Sequence, residues 1–61
     1  MNDDWKVYES TRPDDGALYF DLDNAEAEAQ ERSLSGGIWF VHSNEIDDTY
    51  SIAYNGELYY K

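Results

Sequence analysis

Sixty-one residues make one domain, and a chain of this length buries only about 60% of the surface its unfolded form exposes. There is no cysteine, which excludes disulfides and Cys-based zinc sites and leads us to expect a reducing, cytoplasmic setting. Fourteen Asp and Glu against four Lys and Arg give a formal net charge of −10, a sign that disfavours direct binding to nucleic acid or anionic lipid.

Hydrophobic residues at 41% and aromatics at 16% argue for a packed core rather than disorder. No apolar run approaches the ~20 residues of a membrane span, and Met1-Asn2-Asp3-Asp4 is the opposite of a basic signal-peptide start.

Along the chain, residues 5–10 and 17–22 flank Arg12-Pro13-Asp14-Asp15-Gly16, which has turn chemistry throughout. The second run alternates, with Leu18, Phe20 and Leu22 on one face. The pair reads as an antiparallel hairpin with a loop of the five-residue class. Asp23-Asn24-Ala25-Glu26 then matches a capping box, and Ala, Glu, Gln and Arg dominate residues 25–32. The spacing predicts a helix over residues 24–33, ended by Gly36-Gly37. Its buried stripe is Ala25 and Ala29, with Leu22 before and Leu34 after, and Glu26, Glu28 and Glu31 are expected to face water or a partner.

Residues 38–42 (Ile-Trp-Phe-Val-His) are apolar on both faces, as suits a central strand, and an acidic loop comes next over 44–48. Residues 49–54 and 57–61 flank Asn55-Gly56, a strong hairpin signal because both turn positions tolerate positive φ. A two-residue turn sets the register. Tyr54 is expected to face Glu57, Ile52 to face Tyr59 and Tyr50 to face Lys61 on one side. Ala53 is expected to face Leu58 and Ser51 to face Tyr60 on the other. The predicted fold is α+β, in the order β-β-α-β-β-β, with a single short helix packed on one face of one antiparallel sheet.

Catalysis finds little support. His42 is the sole histidine, and Ser43 beside it points to the opposite face of a strand. Among fourteen carboxylates some pair sits at a glycosidase-like separation by chance, and so short a chain has little room for a cleft. Asp21-Leu22-Asp23-Asn24 starts like a calcium loop but carries Glu26 and Arg32 where that loop needs Gly and Glu. The run Glu45, Asp47, Asp48 reads as a solvated loop before it reads as a metal site. No enzyme, cofactor or metal is expected.

Two signals remain. Six tyrosines exceed what one short helix covers, so some belong to an open face, where Tyr gives large contact area at low entropy cost. Acidic clusters recur at Asp14-Asp15, Asp21/Asp23, Glu26/Glu28/Glu31 and Glu45/Asp47/Asp48. Together with Tyr54, Tyr59 and Tyr60, the small size and the lack of Cys, these clusters resemble the small phage-encoded inhibitors of host machinery, anti-CRISPR proteins and DNA mimics among them. That resemblance implies a protein partner with a basic surface, one that handles nucleic acid. Binding through the acidic and Tyr residues is therefore the expected function. A structural or accessory domain, acidic for solubility or a salty cytoplasm, stays as the alternative. The last strand is an expected sheet edge, which leaves a homodimer through the sheet open as well.

Overall fold

In the computed structural model, which describes residues 4–60, the chain runs β1 (Trp5–Glu9), β2 (Ala17–Tyr19), α1 (Leu22–Ser33), β3 (Ile38–Ser43), β4 (Asp48–Tyr54) and β5 (Glu57–Tyr60). The strands form one antiparallel sheet in the order β2-β1-β3-β4-β5, with α1 the single helix among the described residues. The α+β class and the order of elements are as the sequence predicts. β3, apolar on both faces, takes the centre, and β5 is an edge.

Asn55 and Gly56 have φ of 56° and 82°, the positive pair a type I′ turn requires. The pairs Tyr54↔Glu57, Ala53↔Leu58, Ile52↔Tyr59 and Ser51↔Tyr60 form as expected. The proposed pairing of Tyr50 with Lys61 lies outside the described residues. Helix and hairpin are tied together at this turn. The Gly56 N–H donates to Ser33 Oγ at 2.8 Å, and Gln30 Nε2 donates to the Gly56 carbonyl at 3.1 Å.

The helix starts earlier than expected. Asp21, not Asp23, is the N-cap, and its carboxylate accepts from the Asn24 N–H at 2.8 Å. Starting at Leu22 puts that residue on one stripe with Ala25, Ala29 and Ser33, and the stripe packs on the sheet. Glu26 falls on the same stripe and is buried, which corrects its expected exposure. Leu34 leaves the stripe. It is the C-cap, 69% exposed, and its side chain lies over Gly56.

The first hairpin also departs from expectation. β2 is only three residues long, and its loop spans residues 10–16 rather than five positions. Phe20 leaves the sheet, 66% exposed, and Leu22 enters the helix, so the expected Leu18-Phe20-Leu22 face does not form. Ala17 and Tyr19 pair with Val7 and Trp5 instead. The loop holds its shape through successive turns, Arg12 N–H to the Glu9 carbonyl and Asp15 N–H to the Arg12 carbonyl.

The buried core is Val7, Ala25, Ala29, Val41 and Ala53, with Trp5, Tyr19, Leu22, Trp39 and Leu58 packed around it. Three alanines allow close approach of helix to sheet, and the partly buried aromatics close the sides. Such a core is thin, in keeping with a short chain.

Between β3 and β4 the register shifts, Val41 opposing Ser51 but His42 opposing Thr49, which leaves Tyr50 as the extra residue of a bulge. Simple alternation assigns Tyr50 to the side of Ile52 and Tyr54. The bulge turns it the other way, where its ring meets Trp5 edge-on at 5.3 Å and Tyr60 at 5.8 Å.

Candidate functional site: an acidic end and a bare sheet face

Tyr19, Trp5, Ser43 and Asp48 share one row across the sheet. The β2-to-α1 junction and the β3–β4 turn therefore lie at the same end. That placement brings together Asp21 and Asp23 at the start of the helix and Glu45, Asp47 and Asp48 around the turn. Asp4 joins them, its carbonyl accepting from the Asn44 N–H at 2.8 Å. The two arginines lie elsewhere. Arg12 approaches Asp15 at 3.9 Å, and Arg32 bonds Glu28 at 2.6 Å while sitting over the Trp39 ring. Both border a depression at the opposite end of the sheet, beside Glu9, Gly37 and Trp39.

The predicted acidic residues thus separate into groups. Asp21, Asp23, Glu45, Asp47 and Asp48 share one end. Glu28 and Asp15 have arginine partners, and Glu31 is exposed on the helix near its other end. Asp14 lies at a corner with Lys6, Tyr8, His42 and Asp47. Glu26 is structural: Ser51 Oγ donates to it at 3.0 Å, and the Tyr60 hydroxyl donates at 3.3 Å.

The three tyrosines separate too. Tyr60 lies on the helix side near the acidic end, 62% exposed. Partial burial first, then the charges of Glu26 and Asp23 and the bond to Glu26, raise its phenol above the usual value. Tyr54 and Tyr59 lie on the side the helix leaves bare. The Tyr59 hydroxyl donates to Glu57 at 2.9 Å, and that bond is the main cause raising its pKa.

On the bare side, Tyr8, Phe40, Ile52 and Tyr59 form a row across four strands, and Ile38 and Tyr54 form the next. Tyr8 meets Phe40 edge-on at 5.4 Å. Ile38, Phe40, Ile52, Tyr54 and Tyr59 line a shallow, almost wholly apolar depression. Ionisable groups stand at its margins: Lys6, whose ammonium donates to the Pro13 carbonyl, His42 beside Asp47 at 3.2 Å, and Glu57.

Ile38, Phe40 and Ile52 were not among the residues expected to make contact, although the Asn55-Gly56 register already aligned Ile52 with Tyr59. Tyr50 and Trp5 at the acidic end carried no such signal, because the bulge that places Tyr50 has no compositional mark.

As for chemistry, Ser43 is buried on the helix side while His42 opens on the other face, so the two do not converge. Among the described residues no three potential metal ligands cluster, and no helix is long and apolar enough to cross a membrane. No family model, curated relative or solved structure matches the chain.

Proposed function

We propose that this chain is a non-catalytic binding protein that inhibits a nucleic-acid-handling protein by occupying its basic surface. The observation that carries the reading is the gathering of Asp21, Asp23, Glu45, Asp47 and Asp48 at one end of the sheet, apart from both arginines. Duplex DNA carries one negative charge per ~1.7 Å of axis, so a basic groove built for phosphates attracts a fixed carboxylate array by the same field. Charge of this kind steers association and speeds the on-rate. Tyr50 and Tyr60, 40% and 62% exposed beside the array, supply apolar contact area that bare carboxylates lack. Overlap with the nucleic-acid path then makes the binding inhibitory.

Affinity capture from cell extract tests the reading. The bait is the parent chain or the variant Asp23→Asn, Glu45→Gln, Asp47→Asn, which spares the N-cap Asp21 and the buried Glu26. The parent is expected to retain a basic nucleic-acid-binding protein at low salt and to release it on added DNA or high salt. The variant is expected to lose it. A variant that keeps every partner of the parent overturns the proposal.

A further inference from the structure

The bare sheet face differs in chemistry from the rest of this acidic surface, and we infer that it is the contact surface between two copies of the chain. A sheet buries one face under a helix here, and its other face still presents an apolar field. Ile38, Tyr54 and Tyr59 are 41%, 53% and 49% exposed. With aromatic side chains offering 150–250 Å² each, these three positions leave about 300 Å² uncovered, or about 600 Å² for two copies. Tyr8, Phe40, Ile52 and the marginal Leu18 and Glu57 bring a face-to-face pair to the order of 1,000 Å², where specific interfaces begin.

Charge selects the occupant. An isologous contact lays like on like, so it requires a patch without a dominant sign. The central row of this face, Tyr8, Phe40, Ile52 and Tyr59, meets that requirement and holds no ionised group. In the rows on either side Lys6 and Glu57 are of opposite sign, and Asp14 and Asp47 stand at one corner beside Lys6 and His42. Of the fourteen acids only Glu57, Asp14 and Asp47 border these rows, so most of the repulsion between two chains of −10 acts through solvent that screens within ~8 Å at physiological salt. The thin core adds a reason: its largest fully buried hydrophobic side chains are Val7 and Val41, so a second layer adds substantially to what the monomer buries. The dimer is a two-sheet sandwich with the helices outside and the acidic ends exposed.

Sedimentation equilibrium from about 5 µM to about 1 mM, in about 0.3 M salt, is the test. The parent is expected to show a reversible monomer–dimer equilibrium. Tyr54→Lys with Tyr59→Lys keeps half-exposed positions on which a Lys stem can lie, so the fold is retained, as circular dichroism verifies. This variant carries less net negative charge than the parent, yet its dimer constant is expected to weaken at least ~100-fold. Glu31→Lys changes the charge by the same amount on the helix and is expected to leave the dimer intact or tighter. Ile38→Lys gives a second, independent disruption. A parent that is monomeric throughout overturns the inference, as does a dimer indifferent to the face variants or one that Glu31→Lys abolishes. The outcome is independent of partner capture, because the acidic-end variant changes none of Ile38, Tyr54 and Tyr59.

Discussion

Replacing Glu26 by alanine distinguishes a structural acid from a surface one. Glu26 is 9% exposed, and it accepts from Ser51 Oγ, which is fully buried, and from the Tyr60 hydroxyl. Alanine leaves the Ser51 hydroxyl buried without that acceptor, at a cost of about 1–3 kcal/mol. The exposed Tyr60 hydroxyl turns to water and loses little. Alanine's better helix propensity returns a few tenths of a kcal/mol, and removing one negative charge returns a similar amount. The net loss is about 0.5–2.5 kcal/mol, in a domain whose length allows only ~3–9 kcal/mol in all. Urea unfolding followed by Trp5 and Trp39 fluorescence reads this directly, and the melting temperature is expected to fall by about 10 °C. In a Ser51→Ala background the same replacement is expected to cost less than about 1 kcal/mol, since no buried hydroxyl is then orphaned. Parent-like stability of Glu26→Ala, or equal costs in both backgrounds, refutes the buried bond and returns Glu26 to the surface.

Gly56→Val places a β-branched side chain at a φ of 82° with its Cβ 2.6 Å from Leu34 Cδ2, and is expected to destabilise by about 2 kcal/mol or more; chemical denaturation measures it. Tyr60 and Tyr19 have raised phenol pKa values, Tyr60 mainly from partial burial and then Glu26, and Tyr19 mainly from burial and then Glu28. The folded state thus holds these protons more tightly than the unfolded chain. Their stabilising contribution is complete below the unfolded value near 10 and is lost as pH rises through the folded value. Melting temperatures above about pH 10 are accordingly expected to fall, less steeply for Tyr60→Phe. With a net charge of −10, the monomer is also expected to gain stability between low and moderate salt, about 1 kcal/mol or some 5 °C, and a fall in melting temperature there contradicts the repulsion argument.

What the sequence disclosed, and what it hid, has physical causes. The last hairpin was legible from Ser51 to Tyr60 because a two-residue turn with both φ values positive leaves no slack in register. The central strand was legible because apolar residues on both faces exclude an edge. The helix start was not, since Asp21 and Asp23 each begin a workable capping frame and packing of Leu22 on the sheet decides between them. The same packed face carries Glu26 under Ser51 and Tyr60, a long-range contact that helical periodicity does not encode. The bulge at Tyr50 adds one residue with neither Gly nor Pro to announce it. The acids at the shared end, Asp4 apart, were all identified as residues, but their grouping depends on which strands pair. Separating Tyr60 from Tyr54 and Tyr59 required the faces as well as the register.

The central claim, that the acidic end meets a basic partner, is tested most directly by amide chemical-shift mapping of the labelled chain. The captured nucleic-acid-binding protein is added stepwise at low salt, under conditions where the oligomeric state is constant. Shifts are expected at Asp21 and Asp23, through Glu45, Asp47 and Asp48, and at Tyr50 and Tyr60, with reversal on addition of competing DNA. Shifts confined to Ile38, Phe40, Ile52, Tyr54 and Tyr59, with the acidic end silent, contradict the account and assign recognition to the bare sheet face.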